Sequence, residues 1–578
     1  MLLKGKPVSP GIVYGKVLVK DSLEKIFVKK TILEKDINTE IQKFIDAVQK
    51  TREEMQILYK RVLTEMGEAY ANLFSVYVLI LDDQTFINFI LEQIKSGSNV
   101  EFALYTFSNN IKDSFNYIED IYLKERQRDI LDVVKKIISK LPNSKDELES
   151  FGDNKDELEN FGDNIEGNLI IVANNLSPAD TIMVKNKKVS AFLTNVGGET
   201  SHAAIFAQAL GIPSIVGIKN ITEIVKTGDF IIVNAFNGNV ITNPTKDDIS
   251  KYFYEKEKIE VMYQKFEKIK NLPAITNDGV EIKLLANIEI PDEIDSVISN
   301  GAEGIGLYRT EFLYMNRQDF PTEEEQYQKY KFIAEKIYPN EVVIRTIDIG
   351  GDKNLKKFDL DIEYEKNPFL GLRGIRFAIK YKSIFKIQLR AILRASIFDN
   401  IKIMYPMISI YEEFLEANNI LEEVKEELRK EKIEFNENIQ VGSMIEVPAL
   451  AITLDKITQY ADFFSIGTND LMQYLFAIDR ENQYVSHLYN TRHVSILRLL
   501  RYILLNAKDK KVEICGSMAG DAKLTKILIG LGYRHLSMNP SFIPKIKNII
   551  REVSITDCEK LAREILDLNY LKPDNWFK

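Results

Sequence analysis

From about residue 273 onward, apolar runs of strand length recur, beginning near Ile282, Gly304, Val342, Ile401, Val441, Phe463, Val512 and Leu536, with helical stretches between them. Eight strands alternating with helices predict a (β/α)8 barrel of the TIM type over residues 273–578. In such barrels chemistry gathers just past the C-terminal ends of the strands. The polar residues of this segment fall there. Tyr308-Arg-Thr-Glu-Phe312 follows the second run and Arg345-Thr-Ile-Asp-Ile-Gly-Gly-Asp352 the third. Glu446-Val-Pro448 follows the fifth, Gly467-Thr-Asn-Asp470 the sixth and Cys515-Gly-Ser-Met-Ala-Gly520 the seventh. Placement of so many polar residues at one rim is harder to reach by chance than any one motif.

A second segment, Val196-Gly-Gly-Glu-Thr-Ser-His-Ala-Ala-Ile-Phe-Ala-Gln-Ala209, follows the strand-like run Val189–Leu193. Gly197 and Gly198 permit a tight turn, and Thr200 and Ser201 are capping residue types. Residues His202 to Leu210 are rich in Ala, Ile and Leu and read as a helix. His202 then stands in the first turn of a helix, where unpaired N–H groups and the positive dipole end gather. That field favours a neutral, nucleophilic imidazole and stabilises an anion carried on it. Residue types alone leave a second reading open, a core or capping histidine without chemistry. The chain has four histidines, and no Cys or His cluster near His202 suggests a metal.

The remainder reads as a discontinuous α/β domain around a helical insert. Residues 1–24 contain short strands punctuated by Gly11, Gly15 and two prolines. Residues 25–145 have few Gly or Pro and a helical period, as in Ile41, Phe44, Ile45 and Val48, so a helical bundle is expected. Two nearly identical decamers follow, Lys145-Asp-Glu-Leu-Glu-Ser-Phe-Gly-Asp-Asn154 and Lys155 to Asn164, and read as a lengthened surface linker. Residues 165–245 return to alternating strands and helices, and 246–272 form a charged linker helix before the barrel. A net charge of −9 argues against nucleic acid as the main partner and fits a partner with a basic face. Cys515 and Cys558 make no disulfide framework and suit a reducing cytoplasm. No apolar run reaches 18 residues, so no membrane span is expected, and the N-terminal residues lack the apolar core of a signal peptide.

The pattern Gly-Gly-x-Thr-Ser-His-x-Ala-Ile at 197–205 resembles the phosphohistidine signature of the enzymes that use phosphoenolpyruvate (PEP). These include enzyme I of the bacterial sugar phosphotransferase system, pyruvate phosphate dikinase and PEP synthase. Asp462-Phe-Phe-Ser-Ile-Gly-Thr-Asn-Asp-Leu-Met-Gln473 resembles the family's second signature, and the likeness runs nearly end to end. Domain order favours the enzyme I branch, since a helical insert stands where the ATP-dependent members carry a nucleotide domain. The resemblance implies that residues 1–24 with 146–245 carry the phosphohistidine, His202, with Thr181 as its neighbour. It implies that residues 25–145 dock the carrier protein HPr, with Glu65, Glu68 and Asp82 available to its basic face. It implies that the barrel binds PEP and joins two copies into a homodimer.

By the same resemblance Arg309, Arg345 and Arg480 contact PEP, with Arg373 in a further family segment. Arginine suits both the carboxylate and the phosphate, because its fork binds two oxygens at once. Glu446 and Asp470 are the implied Mg²⁺ ligands, Asn469 a hydrogen-bond donor to substrate, and Cys515 the acid that protonates the enolate to pyruvate. A free thiol with a pKa of about 8.5 is mostly protonated at neutral pH. Cys558 matches no family position and is expected to be structural. One imidazole serving two sites implies that its domain swings about the linker. Family members usually carry Arg at Glu199 and Gln208, Glu at Ser517 and His at Tyr77. The first two changes remove positive charge from around His202. A non-catalytic regulatory homologue and an ATP-dependent PEP enzyme of the dikinase or synthase type remain as alternatives.

Overall fold

The computed structural model describes the chain outside residues 21–28, 67, 116–120, 143–167, 177–188, 198–203, 205–206, 209, 315–318, 351–364, 481, 483 and 568–578. Side chains at 64–66, 68–70, 72–73, 115 and 121–125 also lie outside the described set. Two compact units divide the chain, Met1–Glu260 and Val261–Lys578. His202, Thr181, Glu199, the duplicated decamers and the Glu65 and Glu68 side chains therefore lie outside the described residues.

The first unit is built on an eight-stranded sheet. Its strands are β1 (Leu2–Lys4), β2 (Lys6–Ser9), β3 (Ile12–Lys20), β4 (Leu169–Ala173), β5 (Val189–Thr194), β6 (Ser214–Val216), β7 (Phe230–Asn234) and β8 (Asn239–Thr242), in the order β1-β8-β7-β3-β4-β5-β6-β2. The N-terminal β3 pairs in parallel with β4, Lys16 opposite Leu169 through Lys20 opposite Ala173. The chain leaves the sheet after β3 and returns far along the sequence, as a discontinuous α/β unit requires. All five residues of β4 are buried, which is how a central parallel strand reads in sequence. Gly15 does not punctuate strands as expected. It lies inside β3, where a Cβ would sit 2.3 Å from the Asn168 carbonyl oxygen. The requirement there is close backbone approach and not a turn. Beyond β5, Ala204 and Ala207 are helical and buried, Ala207 against Ile171 and Phe192 of the sheet. The Gln208 Nε2 donates to the Val8 carbonyl at 3.1 Å.

Between β3 and β4 lie the helices Ile37–Met66, Glu68–Leu81, Gln84–Lys95, Val100–Phe115 and Ile121–Ser139. They share a core of Phe44, Val48, Met55, Phe74, Ile90, Leu104 and Val133. Ile45, expected on the buried face, is 46% exposed, because the apolar stripe follows Phe44 and Val48. Asp83 caps the third helix, accepting from Thr85 N–H at 2.7 Å. Tyr77 is buried, and Asp82 pairs with Arg52. No single described helix is long and apolar enough to cross a membrane. The helix Lys246–Ile269 occupies the stretch read as a linker.

The second unit closes eight parallel strands into a barrel: β9 (Lys283–Ile288), β10 (Ile305–Tyr308), β11 (Val342–Arg345), β12 (Ile401–Tyr405), β13 (Gln440–Ile445), β14 (Phe463–Ile466), β15 (Lys511–Ile514) and β16 (His535–Met538). Each begins within one residue of the start read from the sequence. Burial on both faces makes such strands continuous apolar runs. Leu307, Val343, Met404, Met444, Phe463 and Cys515 meet inside the barrel. Cys558 is buried in the outer core with the surrounding helices. At the strands' N-terminal ends, Glu341 accepts from Lys511 at 2.6 Å and Lys402 at 2.7 Å, and Lys511 lies 3.4 Å from Glu513. Burial would raise the Glu341 carboxyl, but the two ammonium groups pull it down to about 2.

Two outcomes are expected. Gly15→Ala lowers stability by about 2 kcal/mol or more, because neither β3 nor β4 can retreat without breaking its ladder; urea unfolding followed by circular dichroism measures it. A depressed carboxylate contributes stability above its unfolded value of about 4.5 and loses it as pH falls toward about 2. Barrel unfolding midpoints should therefore drop across that window, and Glu341→Gln should flatten this part of the profile.

Candidate active site

The C-terminal ends of the barrel strands converge on one mouth. Arg309 follows β10, Arg345 ends β11 and Glu446 follows β13. Asn469 and Asp470 stand in the first turn of helix Thr468–Phe476, which starts two residues past β14, and Cys515 follows β15. Parallel strands point their last residues the same way, so residues far apart in sequence are gathered by register. The tight step from β14 to its helix needs Gly467, where a Cβ would lie 2.7 Å from Glu446 Oε2.

The mouth buries charge. Arg345 is 7% exposed and Arg373 8%. Arg345 donates to Glu311 at 2.7 Å and pairs with Asp348 at 3.2 Å. Arg373 takes both oxygens of Asp348 at 3.1 Å, and its Nη2 donates to Asp470 at 2.9 Å. Its Nη1 reaches the Tyr474 hydroxyl at 3.3 Å, and that hydroxyl donates to the Phe369 carbonyl at 2.6 Å. Burial opposes each cation, but Glu311 and Asp348 around Arg345, and Asp348 and Asp470 around Arg373, raise both guanidiniums above their ordinary value. The Arg345 Nε is buried with no hydrogen-bond partner, so the fork keeps a donor for an anion.

Glu446 accepts from the Met407 N–H at 2.6 Å. Burial, then the negative charges of Asp470 and Asp348, push its carboxyl far above the usual range, against the opposing pull of Arg345 and Arg373. The mouth thus holds four carboxyl groups, Glu311, Asp348, Glu446 and Asp470, against the two guanidiniums of Arg345 and Arg373. Among the described residues no three His, Cys, Asp or Glu gather at metal-holding distances. Mg²⁺ needs only one or two carboxylates when substrate oxygens and waters complete its shell. Glu446 and Asp470 fit that demand.

Cys515 is 1% exposed. Its Sγ donates to the Ile466 carbonyl at 3.5 Å, and its own carbonyl accepts from Asn287 Nδ2 at 2.8 Å. Burial pushes the thiol up to about 12, well past the ordinary value expected from sequence, and so keeps its proton in place. Arg309 pairs with Glu289 at 2.5 Å and is half-buried. Arg480 is exposed at the turn after helix Thr468–Phe476, with the Tyr489 hydroxyl beside its guanidinium. Tyr489 also donates to the Asn469 carbonyl at 3.3 Å, and Asn469 Oδ1 accepts from Ser517 N–H at 3.0 Å. The structure therefore brings Arg345, Glu446 and Asp470 together, with Cys515 adjacent in the barrel interior, and holds Arg309, Arg480 and Asn469 around the rim.

Sequence reasoning gave no role to Glu311, Asp348 or Tyr474. Glu311 and Asp348 each lie within three residues of a rim arginine, a spacing that could have marked them as counter-ions. Tyr474 carried no such signal, because its partners lie about a hundred residues back along the chain.

Three family models match the chain: "PEP-utilising enzyme, N-terminal" over residues 4–126, "PEP-utilising enzyme, mobile domain" over 165–238 and "PEP-utilising enzyme, PEP-binding domain" over 263–555. The phosphoenolpyruvate-protein phosphotransferase of Mycoplasma capricolum subsp. capricolum is 41% identical over 568 residues, 98% of this chain and 96% of that one. Proteins of the same name from Listeria innocua and Buchnera aphidicola are 38% and 40% identical, again over 98% of this chain and 96% of theirs.

At pH 8 the thiolate fraction of Cys515 should be about a thousandfold below that of an ordinary thiol. Iodoacetamide is expected to label neither cysteine of the native chain and both after denaturation, read by mass spectrometry of the peptides.

Proposed function

The chain belongs to the phosphoenolpyruvate-protein phosphotransferase family, and from that premise we propose that it moves the phosphoryl group of PEP to its own His202 and then to a histidine of HPr, releasing pyruvate. The observation that carries the reading is the barrel mouth. Two buried arginines, one with an unused donor, share the mouth with four carboxyl groups, and Glu446 among them pairs with neither arginine. A small, highly charged anion together with a divalent cation would complete that balance.

The residues divide the work as follows. Arg345 and Arg309, with Arg480 from the rim, bind the carboxylate and phosphate of PEP. Asn469 donates a hydrogen bond to the substrate through its Nδ2, its Oδ1 being held by Ser517 N–H. Glu446 and Asp470 would hold Mg²⁺, which when bound offsets negative charge on the phosphoryl group and the forming enolate. Neutral His202 attacks phosphorus in line, the bond from phosphorus to the enol oxygen breaks, and that oxygen leaves as the enolate. The Cys515 thiol gives its proton to the enolate carbon, forming pyruvate, and the thiolate regains a proton from water. The raised thiol pKa ensures that the proton is present at neutral pH.

Residues 1–24 and 146–245 carry the phosphohistidine in this reading, 25–145 dock HPr, 246–272 link, and 273–578 bind PEP. Exposed apolar side chains on the insert's helices, Ile45, Ile57, Leu63 and Leu79, support docking of a protein there. A homodimer through the barrel is supported by exposed Ile452, Tyr502 and Leu505, the Tyr502 hydroxyl donating to the Ile452 carbonyl at 3.0 Å. Two free, buried cysteines support a reducing, cytoplasmic setting.

With ³²P-PEP and Mg²⁺, the native chain should take up label in an acid-labile, base-stable linkage and pass it to HPr with equal pyruvate formed. His202→Ala should abolish both, while its barrel still binds PEP by calorimetry. Undiminished labelling of that variant would remove the assignment.

A further inference from the structure

Beneath the arginines of the barrel mouth lies a hydrogen-bonded set of side chains that the chemistry above does not use. Gln388 stands on helix Lys382–Ala395 and is fully buried, as are Thr310 and Tyr330. The Gln388 Oε1 accepts from the Ile347 N–H at 2.8 Å. Its Nε2 donates to Thr310 Oγ1 at 3.1 Å and to the Tyr330 hydroxyl at 3.2 Å. Thr310 in turn donates to the Arg345 carbonyl at 3.0 Å, and Tyr330 to Gln326 Oε1 at 3.0 Å. Thr310 directly follows Arg309, and Ile347 lies two residues past Arg345.

Every bond in this set has a forced direction. A backbone N–H only donates and a carbonyl only accepts. The Ile347 N–H therefore claims Oε1, which turns both Nε2 hydrogens toward Thr310 and Tyr330. The Arg345 carbonyl claims the Thr310 hydroxyl hydrogen, which leaves Thr310 a lone pair for Gln388. A fully satisfied buried network of this kind admits one arrangement, and a slip of either loop would strand a donor away from water. The strand ladder ends short of these loops. β10 and β11 pair at Ile305 with Val342 and, after a register shift, at Tyr308 with Ile344, so Arg309 and the residues past Arg345 lie beyond the last β10–β11 pair.

We propose that Gln388 is a positioning residue for PEP binding. It holds the loops after β10 and β11 in one register and so sets how Arg309 and Arg345 stand relative to each other across the substrate. The proposal rests on the reading of those two arginines as PEP ligands. Gln388 touches neither substrate nor guanidinium; it acts through Thr310 and Ile347.

The test uses the full chain and three variants. Gln388→Met keeps the volume and removes all three links. Gln388→Glu keeps the shape but carries at most one hydrogen where the amide carries two, so at least one of the links to Thr310 and Tyr330 is lost. Thr310→Val removes that one step. Thermal unfolding is read beside KM for PEP and kcat of self-phosphorylation, at a temperature where each variant is folded. Each variant should raise KM for PEP about tenfold or more, since small misplacement of binding groups is costly. Gln388→Met combined with Thr310→Val should be no worse than the worse single change, because both cut one path. A Gln388→Met chain that melts earlier but keeps native KM and kcat overturns the proposal, for Gln388 would then be core and nothing more. Should Gln388→Met fail to fold, Thr310→Val decides alone, and a native KM there is equally fatal. Arg309→Ala and Arg345→Ala are the separate control. Native KM in both would remove the arginine reading, whatever Gln388 does.

Discussion

Two guanidiniums and four carboxyl groups meet in one barrel mouth, so charge there has to be answered by charge. Desolvating a single unpaired ion costs several kcal/mol, far more than a surface pair returns. Asp348 meets this constraint by serving Arg345 and Arg373 at once, while Glu311 and Asp470 take the remaining faces of the two forks. Much of the mouth's geometry follows from that sharing. Arg373 is drawn from the loop between β11 and β12 to a carboxylate in the helix after β14, so the ion pairs cross-link non-adjacent strands. What they leave over is as telling as what they satisfy. One Arg345 donor has no partner, and Glu446 is held where its negative charge is disfavoured. A site with this imbalance is ready for an anion and a cation together.

The barrel makes such a mouth affordable by keeping its two ends different. Below the mouth, an apolar layer of Leu307, Val343, Met404, Met444, Phe463 and Cys515 fills the interior. Beneath that, the Glu341, Lys402, Lys511 and Glu513 cluster closes the far end with its own ion pairs. Cys515 belongs to the apolar layer by packing and to the mouth by position. That dual membership is why its thiol holds a proton so firmly: the hydrocarbon around it disfavours a thiolate, whereas the same residue at the surface would titrate near the ordinary value.

The first unit solves a different problem, that of rebuilding one sheet after a long excursion. β3 and β4 are joined by ladder bonds and a shared apolar core, and Gly15 is the condition for the close approach of β3 to Asn168, the residue before β4. The helical insert has its own core and caps, so it can leave and rejoin the sheet without borrowing apolar surface from it.

Much of this was legible in the sequence, for a physical reason. Parallel strands buried on both faces must be apolar runs, so the eight barrel strands announced themselves to within a residue, and the polar residues just past them marked the rim. Local patterns likewise revealed the helical insert and the return to the sheet. Pairing was not legible, because hydrogen bonds and ion pairs in a barrel mouth join residues that sequence distance keeps apart. Neither the Arg373 clamp on Asp348 and Asp470, nor the exposure of Arg480, nor the burial that shifts Cys515 could be read from neighbours along the chain. Gln388 looks like any polar residue on an amphipathic helix until the fold places it under Thr310 and Ile347. Residue type and spacing determined which elements form and where chemistry stands. Which charge answers which, and which proton stays, was decided only when the strands closed and water was removed.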